Sequence, residues 1–339
     1  MKTITKGKNM NNYKKIGLTA LAGSLVAISA QAAEMTVSGA TMLTYTSEDS
    51  TEVTGNPFGM KTNLSFTASG EVNGYNVSYM QTSADQFAGM SSARLSVDMG
   101  DMGTIAFDQG SGSGLATIDD KTPTAAEEIW DGLDVATGAN AQGLVGAAGN
   151  SGVFNYINTV GGVTFNGAAR KGSGTSNSDG SSSGAGQGAW DFALTTSPLE
   201  GLSVGAGYGE AENGSQAGTS YGDAEHMTAF ANYSMGPVTV GFQKSYIEAN
   251  KNGTDDEETT AWGLAFNVNE NLSLSYGERD VVFKGAGASA DVTEKGDGVA
   301  VAYTMGSMKI AGNRNNVSDN DGTAGSNDTM TEIAVSFAF

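Results

Sequence analysis

The sequence predicts an all-β protein that forms a 16-stranded antiparallel transmembrane β-barrel. Segments of alternating polarity run for about ten residues, as a strand that crosses a bilayer requires, whereas ordinary strands average about 5–6 residues. Short and long connections alternate strictly along the chain. The polar face of each segment carries mainly Ser, Thr, Asn, Gly and Ala with few charges, which is typical of the water-facing side of a barrel.

The composition supports a folded, β-rich chain. The 339 residues include 49 Gly, only 4 Pro and no Cys, and the 13 Phe and 11 Tyr lie in short alternating runs that a disordered chain would lack. No apolar run of about 20 residues follows the N-terminal region, which excludes a helical membrane protein. The formal net charge of −20 argues against nucleic-acid partners and indicates a solvated surface that attracts cations.

The N-terminus has the features of a secretory signal peptide. Lysines precede an apolar run, Ile16 to Ala30, that is too short to span a membrane comfortably, and Ala30-Gln31-Ala32 is a small-x-small cleavage sequence. We therefore expect residues 1–32 to be removed, with cleavage after Ala33 as a close alternative, and residues 33–339 to form the barrel. Two blocks of lysines leave open whether translation starts at Met1 or Met10.

The connections between the strands are of two kinds. Seven are tight turns by their Gly, Asn or Pro content: 72–74, 100–103, 160–162, 198–201, 235–237, 269–271 and 306–307. Eight are long and rich in Gly, Ser, Asn and Asp: 48–57, 84–90, 109–151, 172–188, 210–224, 249–258, 284–295 and 317–328. Their alternation separates sixteen strands and places both termini at the end of the barrel with the short turns.

The two faces of each segment differ in polarity. In the last segment Ile333, Val335 and Phe337 alternate with Ala334 and Ser336. In a soluble sandwich the apolar faces would pack inward, whereas in a membrane barrel they contact lipid and the polar faces line water. The segment length and the low charge of the polar faces favour the barrel.

The connection 109–151 is too long for an ordinary loop, since structureless connections beyond about 12–15 residues are uncommon and usually functional or disordered. Its acids are Asp119, Asp120, Glu127, Glu128, Asp131 and Asp134, against one base, Lys121. Thr122, Pro123 and the Thr124/Glu127 spacing are helix-start signals, so the pattern predicts a short helix over 125–133. The alternative interpretation is a surface loop with a solvated acidic helix.

Both ends of the mature chain resemble those of a known family. The chain begins Ala33-Glu34-Met35-Thr36-Val37-Ser38-Gly39-Ala40, ends Glu332-Ile333-Ala334-Val335-Ser336-Phe337-Ala338-Phe339, and has a long acidic insert after the fifth strand. It resembles the Gram-negative general porins, most closely the alphaproteobacterial type. The insert departs from the family pattern because it lacks the common Pro-Glu-Phe-Gly element.

The resemblance implies a homotrimer of barrels in the outer membrane of a Gram-negative bacterium. In that family the third loop, here 109–151, folds into the lumen as a constriction, and the terminal aromatic residue, here Phe339, is a signal for the outer-membrane assembly machinery. The implied function is a water-filled channel for passive diffusion of small hydrophilic solutes and ions. The alternative is a secreted or surface-exposed all-β adhesion or structural protein.

Four basic residues fall on the polar faces: Lys61, Arg94, Arg170 and Arg279. Opposed to the acids of an inserted loop, they would create a transverse field in the pore, and the excess of acids predicts mild cation selectivity. The alternative is that each base only pairs with a neighbouring acid. Lys244 and Arg314 fall on the apolar faces, where snorkelling, a bulge or a contact between copies could each accommodate them.

The residues for catalysis and for metal binding are few. His226 is the one histidine, so it is the only candidate for a Ser/His pair, and we expect it to be exposed at the rim of a protein that is not an enzyme. The acidic stretches 255–258 and 319–322 offer oxygens that suit Ca²⁺ or Mg²⁺ but lack the spacing of a calcium-binding loop. We therefore expect no required cofactor.

Overall fold

The computed structural model of the protein describes residues 34–48, 55–83, 89–131, 133, 143–149, 151–172, 187–216, 219–251, 253–285 and 290–339. The expected signal peptide, residues 1–32, and the acidic residue Asp134 lie outside these ranges. No helix within them has the length and hydropathy to cross a membrane.

Strands dominate the described chain. In order they are β1 (Glu34–Glu48), β2 (Phe58–Val72), β3 (Tyr75–Ser83), β4 (Met90–Asp98), β5 (Thr104–Gln109), β6 (Ser151–Val160), β7 (Val163–Arg170), β8 (Ala189–Leu199), β9 (Leu202–Ala211), β10 (Ser215–Gln216), β11 (Thr219–Ser220), β12 (Ala224–Met235), β13 (Val238–Glu248), β14 (Asp256–Asn267), β15 (Leu272–Lys284), β16 (Val292–Met305), β17 (Met308–Ser318) and β18 (Asp328–Ala338). Short 3₁₀ helices occupy Gly100–Met102, Gly114–Thr117 and Asn320–Gly322.

Sixteen of the described strands close into one antiparallel barrel, while β10 and β11 form a separate two-stranded ladder between β9 and β12. Each barrel strand pairs with its neighbours along the barrel, and β1 pairs with β18 to complete the cylinder. Closure leaves no free sheet edge, so the strands satisfy their backbone hydrogen bonds within the protein, as lipid requires. The predicted barrel is confirmed, and a sandwich is excluded.

The tight turns fall where the sequence predicts them. Between β2 and β3, Asn73 and Gly74 have φ values of 53° and 85°. Two successive residues in this left-handed region suit a two-residue hairpin, which is why Asn-Gly is favoured there. All seven predicted turns and all eight predicted long connections separate barrel strands of the structure.

The two strand faces have different surroundings. On β18, Ile333 and Phe337 are 51% and 44% exposed, whereas Ala334 on the opposite face is 6% exposed.

The main apolar cluster lies between strands and the connection from β5 to β6: Leu115, Ile118 and Val145 pack against Ala193, Phe230 and Ile247. We call residues 110–150 the β5–β6 segment.

The helix predicted over 125–133 is wrong, because residues 125–131 form bends and turns. The Thr124 hydroxyl donates to the Glu127 carbonyl at 2.8 Å, and the Ala125 N–H donates to Oγ of Ser275 on β15, also at 2.8 Å. The Asp131 N–H donates to the Glu128 carbonyl, three residues back, at 3.1 Å. A contact with the barrel wall therefore takes the Ala125 N–H, a donor at the start of the predicted helix, and tertiary context overrides the local signal.

Candidate functional site

One buried carboxylate holds both ends of the β5–β6 segment. Asp191 on β8 is 3% exposed; its Oδ1 accepts the Leu115 N–H at 3.0 Å and its Oδ2 accepts the Ala148 N–H at 2.7 Å. Asn166 on β7 accepts the Gly114 N–H at 2.9 Å. The first and last parts of the segment are thereby fixed to the same pair of strands.

Arg94 on β4 holds the start of the segment. It pairs with the fully buried Asp108 (Nη1 to Oδ2, 3.6 Å), and its guanidinium donates to the Gly112 carbonyl at 3.2 Å and to Asn155 on β6. Asp108 in turn accepts the Ser113 hydroxyl at 2.7 Å. Arg94 therefore has the neighbouring acidic partner that the sequence left as an alternative.

The middle of the segment lies on a row of glycines. Gly241, Gly263, Gly277 and Gly298 pair in register across β13, β14, β15 and β16, and we call them the glycine row. A Cβ at Gly263 would lie 2.8 Å from the Pro123 carbonyl oxygen, and a Cβ at Gly298 would lie 2.9 Å from Cγ2 of Ile129. The segment thus approaches the barrel wall so closely that a side chain at either glycine would collide with it.

Two asparagines continue the glycine row at its ends. Asn232 on β12 pairs in register with Gly241, and Asn315 on β17 pairs with Gly298. The Asn232 amide donates to the Lys121 carbonyl at 2.6 Å, and the Asn315 amide donates to the carbonyls of Glu128 (3.0 Å) and Asp131 (2.9 Å). These bonds satisfy backbone acceptors of the segment where it has no regular secondary structure.

Gln243 on β13 adds a third contact of this kind. Its side chain is 3% exposed, donates to the carbonyls of Ile118 (2.8 Å) and Asp119 (2.9 Å), and accepts the Lys121 N–H at 2.6 Å. The candidate site residues predicted from the sequence do not include Asp191, Gln243, Asn232, Asn315 or the glycine row. In the sequence these residues have in common only their place on the polar strand faces, and many other small polar residues lie there too.

The described acids of the segment lie along the part that crosses these strands. Asp119 and Asp120 are half-buried; burial, with the charge of Asp120 next, raises the pKa of Asp119 to about 7. Burial and the Glu128 charge raise the pKa of Asp120, and burial and the Asp131 charge raise that of Glu127. These carboxyls therefore hold protons at a higher pH than ordinary surface acids.

The four predicted bases do not form one wall. Arg170 donates to the Ala148 carbonyl at 2.6 Å and so holds the end of the segment, as Arg94 holds its start. Arg279 is 3% exposed beneath the segment, 3.3 Å from Glu294 and with its guanidinium 4.9 Å from the ring centre of Trp130. Lys61 is exposed, and its charge acts on Glu127.

A second base near the acids is Lys309 on β17, whose charge also acts on Glu127. It shares the parity of Ala311 and Asn313, on the opposite face from the exposed Ile310. The alternation of β17 could have identified it alongside Lys61.

His226 is not exposed at the rim, contrary to the expectation from its place at a strand start. It is half-buried, and its Nδ1 accepts the Gly146 N–H at 3.3 Å, so it contacts the end of the β5–β6 segment. Among the described residues no group of three or more His, Asp or Glu side chains is arranged to hold a metal ion. The same holds for the two acidic stretches, 255–258 and 319–322.

The family model described as Gram-negative porin matches residues 17–339. Among curated protein sequences the chain has no match.

Several solved outer-membrane proteins have a similar fold. They include the trimer form of OmpT from Vibrio cholerae (TM-score 0.65, 13% identity, covering 91% of this chain and 100% of that one). An anion-selective porin from Comamonas acidovorans gives a TM-score of 0.62 at 13% identity and covers 91% of this chain and 100% of the porin. The outer-membrane channel DcaP of Acinetobacter baumannii gives 0.63 at 15% identity, covering 91% and 97%. At these identities the likeness concerns the fold.

Proposed function

This chain belongs to the Gram-negative porin family and forms an outer-membrane channel for the passive diffusion of small hydrophilic solutes; from that premise we propose that the β5–β6 segment lies in the lumen and makes the channel mildly cation-selective. The observation that carries this proposal is the glycine row, which receives the segment on the polar strand faces. The segment and the uncovered wall would then form the narrowest part of the pathway.

The parity of the contacts supports the inward path. Asp191 and the glycine row lie on the same strand face as the contacts of the segment, whereas neighbours of opposite parity, Trp190, Trp262 and Val299, are exposed. Exposed apolar side chains on a membrane barrel face lipid, and the other face of a closed barrel lines the lumen.

The charge balance supports the selectivity. Glu127 and Asp131 of the segment lie near Glu332 of β18, whose Oε2 accepts the Thr46 hydroxyl at 3.2 Å. Lys61 is the base whose charge acts on Glu332. An excess of fixed negative charge in a narrow, low-dielectric passage concentrates cations, and salt weakens the effect because the screening length is about 8 Å at physiological ionic strength.

Cation preference should depend on pH in a range where ordinary surface carboxyls do not titrate. The pKa of Asp119 is about 7 and those of Asp120 and Glu127 are raised, so lowering the pH from about 8 to about 5 should protonate the segment progressively. We expect reversal potentials in a KCl gradient across a planar bilayer to indicate cation preference that falls over this range. A constant preference, or a preference for chloride at the higher pH, would contradict the proposal.

We also propose that Phe339 is the signal by which the outer-membrane assembly machinery receives the chain, and that the chain forms a homotrimer in the outer membrane. The Phe339 backbone exchanges two hydrogen bonds of 2.9 Å with Gly39 where β18 meets β1, and its ring is 65% exposed. Deleting Phe339 should greatly reduce the folded trimer in outer-membrane fractions, judged by heat-modifiable mobility on gels, and leave the conductance of the remaining channels unchanged. Phe58→Ala, which removes a ring that is 61% exposed, is the control and should keep normal yield. Equal yields of the two variants would refute the role of Phe339.

We propose that the channel has no catalytic activity and requires no cofactor. The one histidine accepts a hydrogen bond from Gly146, and the chain has no cysteine nucleophile. Assays of purified protein with phospholipid and peptide substrates should give no turnover above a heat-unfolded sample, and turnover lost on His226→Ala would overturn this part of the proposal.

A further inference from the structure

Arg314 projects from the lipid-facing side of β17. It shares the parity of Ile310, which is 40% exposed, whereas Asn313 and Asn315 on the other face are buried. The register of β17 with β16 and with β18 runs without interruption through this position. No bulge therefore turns the side chain inward, and the exposed guanidinium lies on the apolar face of the barrel.

Arg314 marks the upper boundary of the apolar band on its strands, taking the long connections as up. Towards the short turns the outward residues nearby are apolar, namely Ile310, Val301 and Ile333. Towards the long connections they are Asn316, Asp297 and Thr329, which form a hydrogen-bonded chain: Asn316 donates to Asp297 at 3.0 Å and accepts from Thr329 at 3.1 Å. This boundary is the level of lipid headgroups on the side of the long loops.

The guanidinium has no acidic partner within the described residues. Its Nη1 donates to the Thr331 hydroxyl at 3.1 Å, and none of the ion pairs in this part of the chain includes it. The other outward base noted in the sequence, Lys244, lies 2.5 Å from Glu258. An unpaired guanidinium at the edge of a hydrocarbon layer is costly, so an anion from outside the chain would stabilise it.

An apolar groove of about 490 Å³ adjoins Arg314 on the same surface. Its floor is Gly312, where the missing side chain leaves a gap between neighbouring strands; a Cβ there would lie 3.5 Å from the Glu332 carbonyl oxygen and 3.7 Å from Cγ1 of Val301. A Cβ there would therefore make only ordinary contacts, and a larger side chain at this position should extend into the groove. The apolar walls are Leu274, Val299, Val301 and Ile333.

We propose that this groove binds one phosphate-bearing lipid of the outer leaflet. The positive charge and the bidentate hydrogen-bonding geometry of the guanidinium suit a phosphate, and the Thr331 hydroxyl lies within hydrogen-bond distance of the guanidinium. One acyl chain lies along Gly312 between the apolar walls. The charge of Arg314 suits the phosphate of such a lipid, and the apolar groove directly beside it suits the acyl chain. A free anion lacks the acyl chain, and a neutral lipid lacks the charged phosphate.

The test is native mass spectrometry of the full channel extracted in dodecyl maltoside with added phosphatidylglycerol. We expect one retained lipid per barrel, and a loss of at least about tenfold in retention for Arg314→Gln, since a neutral amide replaces neither the charge nor the bidentate hydrogen bonds of the guanidinium to a phosphate. Gly312→Leu should reduce retention similarly by filling the groove. Lys244→Gln removes the same charge from the same outer face and should retain lipid as the unaltered channel does. Conductance should be the same for all four proteins, which separates this site from the pore.

Four results would overturn the proposal. Retention that survives Arg314→Gln, or that falls equally with Lys244→Gln, would show that the lipid does not depend on this site. Displacement of the lipid from the unaltered channel by inorganic phosphate, together with undiminished lipid retention by Gly312→Leu, would indicate a free-anion site without a role for the groove. Dissociation of an oligomer by Arg314→Gln, with no lipid retained in either form, would assign the groove to a contact between copies.

Discussion

Replacing Gly263 and Gly298 together with valine should raise the single-channel conductance about twofold or more, because the β5–β6 segment can no longer lie on the wall. Each valine places a Cβ within 2.9 Å of segment atoms, the Pro123 carbonyl at one glycine and Ile129 at the other. At Gly298 the Cβ would also lie 2.6 Å from Oδ1 of Asn315, so the valine should disturb this attachment of the segment as well as Ile129. The strands themselves should tolerate the change, since β-branched residues suit strands. Single-channel conductance in planar bilayers and liposome swelling with sugars of graded size would measure the wider pore.

The matched control is Gly296→Val, two residues from Gly298 on β16 and of the same parity. A Cβ there would lie 3.6 Å from its nearest atom, the Arg279 carbonyl oxygen, which is an ordinary contact. This variant should conduct like the unaltered channel. If the double valine variant folds as a barrel and passes no larger sugar, the segment does not constrict the lumen.

Neutralising Asp119, Asp120, Glu127 and Glu128 together as Asn, Asn, Gln and Gln should remove about half or more of the cation preference. The hydrogen bonds that fix this region use backbone oxygens, among them those of Asp119 and Glu128, so amide side chains should leave the position of the segment unchanged. Thermal unfolding should accordingly shift little. The reversal potential in a KCl gradient is the readout, and its difference from the unaltered channel should shrink at about 1 M salt, where the screening length is about 3 Å.

A control with the same net charge separates local from global effects. Asp101, Glu200, Asp223 and Asp255 are exposed in connections outside the strands, and changing them to amides removes four charges as well. Their fields are screened by bulk solvent, so this control should retain its cation preference. Equal loss in the two quadruple variants would mean that total charge, rather than the segment, sets selectivity.

The barrel was predictable because its signals are local and repeated. Asn73-Gly74 specifies a hairpin turn by backbone preference, and the alternation of Ile333 with Ala334 specifies a face, so strand order follows from chain order. The segment was not predictable in this way. Thr124 and Pro123 carry helix-start signals, yet Ser275 on β15 takes the first backbone donor, and nothing near Thr124 in sequence indicates Ser275.

The contacts of the segment depend on pairing between distant strands. A single glycine in a strand usually indicates only a weaker strand or a bulge, and Gly263 means more because Gly241 and Gly277 lie directly opposite it. Parity placed Arg279 on the polar face correctly, but the sequence could not show that Trp130 would cover it. Such relations require the register of the whole sheet.

The two carboxylate oxygens of Asp191 attach both ends of the β5–β6 segment to one residue of β8. Residues 115 and 148 are fixed to one side chain, so changes in the length or charge of the chain between them should leave these two attachment points in place. Related channels could therefore diverge in what they admit while keeping the same sixteen strands. Under the proposed inward path, other inserts grafted between these two attachment points should change which solutes the channel admits.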